Sequence, residues 1–451
     1  MATKPVKQAG TAERANGLEP LPRMPTLERI LYTPHRCGVS DDKVQWTPVG
    51  NGSVLPLLTQ IVWSNGTPWR EPNLWALERA TSIDVSLSTV ESNMRAMHRF
   101  AKWLESSGTG WWEFPPRKAD RCLVRFRGHL IDAREAHEIA PNTASQTMAS
   151  VIQFYRWLHA SGLICPEWPM WREKVVGIHL IDPVGFNRTI LVNSTDLAIR
   201  NRKAPGERLE DGLLPVSAAH RTAILEFVNE NGSEELFLMI SLGFFTGMRL
   251  GTLADLKIQT LDRAVPDPAS ADLFRIAVGP GADPPVHTKG GVTGHIHITG
   301  IHLDELRRYF YSTRRLKRQA RAVPQHRNLV FLTKSGKPYA QRASDYCAAI
   351  NVEMHKLRKL AAAAGQDSLR HFKFHQSRCT FATELARLAI AAGGGINALA
   401  LVREFLLHTR EATSLLYIRF VETTPAKEEA ANAFTCEFLG VISGRKGTGN
   451  G

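Results

Sequence analysis

Six polar side chains in the second half of the chain carry the types needed to attack a phosphodiester: Arg249, Lys289, His375, Arg378, His408 and Tyr417. A phenol attacks phosphorus when its proton is taken and fixed cations meet the charge growing on the phosphate oxygens. Arginine suits the second task, because its planar fork matches two oxygens at once. Cations gathered around one phenol therefore suit a protein that holds its own tyrosine as a phosphate ester.

Each residue has an ordinary reading when taken alone. Arg249 stands near the end of an apolar helix in FFTGMRLGTLADLK, where Asp255 or Glu235 would serve as a salt-bridge partner. Lys289 lies in HTKGGVTG, whose glycines allow a tight turn between strands. Two H-x-x-R pairs occur, His355–Arg358 and His375–Arg378, and with 16 histidines in the chain about one such match is expected by chance. The second pair is preferred, because it leads into the helical CTFATELARLA and lies at a better distance from the tyrosine. Residues three apart share a helix face, so His375 and Arg378 can address one phosphate together. His408 and Tyr417 stand nine residues apart in REFLLHTREATSLLYIRF. Tyr309 and Tyr311 are rival nucleophiles without a preceding histidine.

Taken jointly, order and spacing resemble the tyrosine recombinase (phage integrase) family of site-specific DNA recombinases, over roughly residues 83 to 435. The resemblance implies a mainly α fold with a small β-sheet: a helical core-type DNA-binding domain, then an α+β catalytic domain, closing on DNA as a C-shaped clamp. It implies that Tyr417 is the nucleophile and forms a 3′-phosphotyrosine. Arg249, Arg378 and His408 would stabilise the phosphate, His375 would manage the tyrosine proton, and Lys289 would protonate the leaving 5′-oxygen. No metal, cofactor or ATP is expected. The partners implied are double-stranded recombination sites and further copies of the chain in a homotetramer. Three rivals share parts of this pattern: a non-catalytic DNA-binding protein of the same fold, a type IB topoisomerase-like nicking-closing enzyme, and a metal-dependent acidic-triad transposase. The chain also departs from the family. Thr252 stands where an acid usually follows the first arginine, and the segment around AIAAGGGINALALV is longer than usual and is expected to form a loop.

The elements that must position these residues can be read from pattern. A chain of 451 residues predicts two or three domains. All ten tryptophans lie at or before Trp171, which predicts two separate cores. Residues 1–40 read as a flexible tail and 41–82 as an irregular lead-in. The helical domain is placed at 83–170, with Val90, Met94, Met97, Phe100, Ala101 and Leu104 at helical spacing. Further helices are expected over 119–134 and from an Asn142 cap to Gly162. Residues 171–213 form a connecting segment ending in the charged linker RNRKAPGERLEDG, 214–435 the catalytic domain, and 436–451 a tail. Strands are expected at 273–278, 286–290, 295–299 and LVFLT. The helix AKEEAANAFTCEFLGVI is a candidate for docking on a neighbouring subunit.

The net charge of +13 and pI near 9.6 favour a polyanionic partner. The densest basic stretch, Arg307 to Arg327, reads as one helix with Arg307, Arg308, Arg314, Arg315, Lys317 and Arg318 facing DNA. The six scattered cysteines and the absence of an apolar leader or membrane-length run predict a cytoplasmic protein with reduced thiols. No small-molecule substrate or membrane partner is expected.

Overall fold

The computed structural model describes residues 24–40, 43–49, 54–82, 84–181, 187–201, 209–340 and 348–425. The start of the expected tail, most of RNRKAPGER, the candidate docking helix and the C-terminal tail lie outside these residues. The chain divides into two compact units, residues 1–178 with 190–203, and residues 179–189 with 204–451. The fold is mainly α with small antiparallel sheets. Among the described residues no helix is long and apolar enough to cross a membrane.

The first unit opens with regular structure where a tail and an irregular lead-in are expected. Strands β1 (Thr26–Tyr32), β2 (His35–Ser40), β3 (Lys43–Pro48) and β4 (Leu55–Val62) form the antiparallel pairs β1–β4 and β2–β3. Apolar residues along both strands hold the first pair. Leu27, Ile30 and Tyr32 of β1, and Leu58 and Ile61 of β4, pack on the helical core. Helix α1 (Arg70–Thr81) follows, burying Trp75 and Ala76. Next come α2 (Leu87–Ser107), α3 (Cys122–Glu135) and α4 (Pro141–Ala160). Ser86 caps α2 by accepting from Thr89 N, and Gly108 ends it in the left-handed region. The six apolar positions anticipated on α2 are all buried. Helix α4 starts one residue before the expected Asn142 cap: Pro141 takes the first turn, where its missing N–H is no loss. Aromatic rings fill the core, with Phe100 and Phe126 centroids 4.7 Å apart. Strands β5 (Glu173–Ile181) and β6 (Asn187–Thr195), whose residues are divided between the two units, pair with each other.

The second unit begins with α5 (Ala218–Asn231) and α6 (Glu234–Thr246). The latter is buried on nearly every side, consistent with its continuous apolar run. Short helices α7 (Leu250–Ala254) and α8 (Ile258–Asp262) lead to a sheet ordered β7 (Val265–Asp267), β8 (Ser270–Val278) and β9 (Gly294–Thr299). Phe274 pairs with Ile298 and Ile276 with Ile296. Residues 286–290 make only a bridge, Val286 to Gly279, rather than a strand.

The basic stretch is two helices, α9 (Gly300–Phe310) and α10 (Thr313–Arg321), broken where Ser312 caps the second. Two of its six expected DNA contacts, Arg315 and Arg318, are committed to the interior instead. Arg315 is fully buried; its Nε donates to Val330 O at 3.0 Å and Nη2 to Arg327 O at 2.6 Å and to Leu329 O. Buried Arg318 donates to Leu332 O. Arg314 grips the buried Glu235 through two bonds of 2.8 Å, and Arg318 pairs with the same carboxylate. This also explains why LVFLT is not a strand: its carbonyls are satisfied by arginine side chains rather than by a ladder. Arg315→Ala would leave several buried carbonyls unpaired, and is expected to cost roughly 3 kcal/mol or more. The exposed Lys317→Ala should stay within about 0.5 kcal/mol of the native protein. Urea midpoints of the two variants check this.

Helices α11 (Ala348–Ala363) and α12 (Asp367–Arg370) precede α13, which runs unbroken from His375 to Leu406. The loop expected around the three glycines is therefore helix. Three interior glycines cost about 1 kcal/mol each relative to alanine, but burial of Ala386, Ala389, Ala398 and Val402 on either side holds the helix together. A last helix, α14, covers the described residues 411–425.

Candidate active site

Five of the six singled-out side chains of the second unit converge on one carboxylate, that of Glu210. Glu210 opens a three-residue turn (Glu210–Gly212) just after the charged linker. Its Oε1 accepts from Arg249 Nη2 at 2.8 Å. Its Oε2 lies 3.3 Å from Arg378 Nε and 3.4 Å from the Tyr417 hydroxyl. His408 Nε2 and His375 Nε2 stand 3.5 and 3.7 Å from the same oxygen, in contact but long for hydrogen bonds.

Local structure accounts for each position. Gly247 ends α6 at φ 66°, and a Cβ there would meet Phe381 Cδ1 at 2.5 Å and Leu406 Cδ2 at 2.6 Å. Only glycine fits, and the turn places Arg249 at the start of α7. Asp255 and Glu235, the partners expected for Arg249, are engaged elsewhere: Asp255 with Lys257, Glu235 with Arg314 and Arg318. Arg378, one turn into α13, donates Nη1 to Gly247 O at 2.6 Å and Nη2 to Leu406 O at 2.8 Å. Two of its nitrogens thus tie the ends of α6 and α13, and the third faces the site.

After α13, Leu407 takes the left-handed conformation at φ 51°, where a side chain costs about 1–2 kcal/mol over glycine. The turn brings His408 inward. Its Nδ1 lies 2.9 Å from Ser414 Oγ, and its ring stacks on Tyr417 with 6.0 Å between centroids and 9° between planes. Tyr417 is fully buried on α14, its hydroxyl 3.8 Å from Cys379 Sγ.

Lys289 is exposed on the turn Lys289–Gly291 and lines the same crevice as Arg249 and Arg378. Gly290 and Gly291 adopt φ of 77° and 67°, as a tight turn requires. The other H-x-x-R pair is elsewhere, on α11, where Arg358 donates to Phe372 O. Tyr309 donates to Glu235 and Tyr311 is exposed. Of the remaining basic candidates, Arg307 and Arg308 pair with Asp304 and Glu305 on the surface of α9, and Lys317 is exposed on α10.

The electrostatics follow from crowding cations in a buried place. Burial pulls Arg378 down to about 10, helped by the Arg249 charge, so it remains a cation at neutral pH. Burial would raise the Glu210 carboxyl, but His375, His408, Arg378 and Arg249 together outweigh it and hold Glu210 far below the usual carboxylate range. Burial also lowers His408, partly offset by Glu210. Tyr417 is pushed well above an ordinary phenol, by burial first and by Cys379 and Glu210 beside it. It is therefore protonated at neutral pH, and to act as a nucleophile it would need a base.

Glu210 is the functional residue that pattern alone does not single out. The threonine at 252 hints that Arg249 takes its anion from elsewhere, but the charged run ending at Gly212 contains three acids and nothing in spacing selects one.

The first unit carries a second feature. A polar cleft of about 540 Å³ on α2 and α4 is lined by Ser92, Arg95, Arg99, Gln146, Ser150 and Gln153 among others. Arg99 Nη1 donates to Thr147 Oγ1 at 3.0 Å, which fixes it at the cleft.

The sequence matches no family model and no curated protein. Solved structures give similarities at low identity. One is the Tn1549 transposon integrase (residues 82–397) in complex with circular intermediate DNA, 14% identical, TM-score 0.46, over 77% of this chain and 94% of that one. Another is a lambda integrase (residues 75–356) dimer bound to a COC′ core site, 14% identical, TM-score 0.43, over 77% and 93%. A third is XerA recombinase, 16% identical, TM-score 0.31, over 77% and 91%. In chain path, this protein is similar to these integrases and this recombinase.

Proposed function

We propose that the protein is a site-specific DNA recombinase that cuts and rejoins DNA through a tyrosine–phosphate ester. The observation carrying this reading is the focus of Arg249, Arg378, His408 and His375 on one anion beside the Tyr417 hydroxyl. Tyr417 Oη attacks the scissile phosphorus, forming the Tyr–O–P bond as the bond from phosphorus to the 5′-oxygen breaks. The phenol proton passes to His375, and Lys289 gives a proton to the departing 5′-oxygen. Arg249, Arg378 and His408 meet the charge on the non-bridging oxygens, the task a metal ion performs elsewhere. The ester keeps the bond's energy, so a 5′-hydroxyl of a partner strand can reverse the step without ATP. The polar cleft of α2 and α4 offers the amides, hydroxyls and arginines that contact phosphates and base edges. Double-stranded DNA is thus the partner, and the motif resemblance implies a homotetramer on paired sites.

The test is to trap the ester. Duplexes spanning the ends of the element that encodes the protein, nicked so that the cleaved fragment diffuses away, are incubated with the full chain in EDTA. An SDS-resistant adduct carried by the peptide containing Tyr417 is expected. Tight binding without an adduct on matched sites favours the non-catalytic rival, and loss of all cleavage in EDTA favours the acidic-triad one. Relaxation of plasmids without exchange between two sites points to a nicking-closing enzyme.

A further inference from the structure

We propose that the Glu210 carboxylate occupies the substrate phosphate's place in the DNA-free protein, so that DNA must displace it before Tyr417 can react. This rests on the reading of Tyr417 as nucleophile but concerns how the site is held idle.

Position comes first. A carboxylate that only braced an arginine would touch that arginine from one side. Glu210 instead puts Oε1 on Arg249 at 2.8 Å, and Oε2 within 3.3–3.7 Å of Arg378, Tyr417, His408 and His375 together. A non-bridging phosphate oxygen bearing the same charge would need those same donors. Two anions cannot share them, because their repulsion in a half-dry site exceeds what the donors can offset. Charge comes second. Arg378 and Arg249 converge on one carboxylate, and the Arg249 charge helps to depress Arg378, so two neighbouring cations meet here with an anion between them. Glu210 supplies that anion while DNA is absent, and its side chain is only 11% exposed.

Access is the third consideration. The Tyr417 ring is buried beneath the carboxylate, between His408 and Cys379, so the nucleophile is covered as well as protonated. The plug sits on a turn of three residues, with Leu209 and Leu213 docked on the Cys379–Tyr417 cluster, Cys379 Sγ 3.9 Å from Glu210 O, a Leu209 N to Leu213 O bond of 3.0 Å and Gly212 at φ 71°, and the chain just beyond it is tied to α13 by Gln376 Nε2 to Leu214 O at 3.1 Å and Val216 N to Thr380 Oγ1 at 3.0 Å. Withdrawing the turn breaks some of these contacts, and the price is a weaker apparent affinity for DNA.

The test compares the full-length protein with Glu210→Gln and Glu210→Ala in two assays. In single-turnover adduct formation on nicked duplex, the variants are expected to reach half-saturation at roughly 10-fold lower DNA or less, since the closed population no longer taxes binding. Their rate at saturating DNA should equal or exceed that of the native protein. In thermal unfolding, inorganic phosphate at millimolar concentration should raise the midpoint of the variants and leave the native protein unmoved. A fall in the saturating rate with unchanged half-saturation makes Glu210 a brace and overturns the proposal. So does a variant whose midpoint ignores phosphate. A variant unstable without anion but restored by phosphate supports it. If no protein forms an adduct yet the variants gain phosphate binding, the plug stands and the recombinase reading fails.

Discussion

Tyr417→Phe is expected to abolish the covalent adduct while leaving DNA binding and stability close to native. The adduct should fall by at least about 10⁴-fold, the scale on which removal of a nucleophile acts in other covalent enzymes. Little else should change. Among the described residues the hydroxyl makes only long contacts, 3.4 Å to Glu210 and 3.8 Å to Cys379, whereas the ring's stacking on His408 is kept by phenylalanine. Loss of one weak, partly buried hydrogen bond costs about 1 kcal/mol or less. The cations are untouched, so the salt dependence of DNA binding should be preserved, with its slope near −0.9 per phosphate neutralised. Adduct assays, gel shifts at several salt concentrations and a melting curve together check the expectation. An adduct that survives in Tyr417→Phe would move the nucleophile elsewhere. Tyr311, which is exposed, is then the first candidate, since the Tyr309 hydroxyl is held by Glu235.

That the candidate site's side chains are legible in the sequence while their neighbours are not has a physical cause. Residues chosen by reaction chemistry are constrained in type and order: a guanidinium cannot be exchanged for an ammonium, nor a phenol for an alcohol, without changing the reaction. Arg249, His375, Arg378, His408 and Tyr417 could therefore be picked out as letters, and they meet in space. Lys289, on a surface turn, shares a crevice with Arg249 and Arg378. Helices with strong apolar spacing, α2 and α6, were equally plain. Charge alone misled. The run from Arg307 to Arg327 looks like a surface for DNA, yet Arg315 and Arg318, three residues apart and so on one face, turn inward to cap carbonyls that no strand partners. A one-dimensional pattern cannot tell an arginine facing phosphate from one facing backbone oxygen, because both offer it the same acceptor. Glu210 escaped for the converse reason. Its role depends on where a short turn after the linker folds back, a long-range contact with no periodic trace. The glycine run in α13 shows tertiary packing overriding propensity, and β1–β4 are short strands without a clean alternation, among prolines and glycines.

Arg378 is where stability and chemistry are most tightly joined, so its substitution should produce the second large effect. Its guanidinium is 2% exposed and all three nitrogens are engaged: Nη1 with Gly247 O, Nη2 with Leu406 O, Nε toward Glu210 and, by proposal, toward phosphate in the complex. Arg378→Ala removes one side of a buried ion pair and strands two helix-end carbonyls. Such losses run to about 3–5 kcal/mol, so the second unit is expected to lose cooperative folding, and silence from this variant would say little about catalysis. Arg378→Lys is the informative change. Lysine keeps the charge but concentrates it at one point on a flexible stem, and it cannot reach three acceptors in one plane. We expect it to remain folded with a loss of about 1–3 kcal/mol for the carbonyl left unpaired. Adduct formation at saturating DNA should fall by roughly 10²–10³-fold, the scale of a single lost donor to a developing oxyanion. The separation of the two readouts is what decides. If Arg378→Lys melts early yet cleaves within about threefold of native at saturation, the guanidinium is a clasp between α6 and α13 and no part of the phosphate site. If the rate collapses while the fold holds, the third nitrogen is the one that matters, and the bonds from the other two to Gly247 and Leu406 are what keep it aimed.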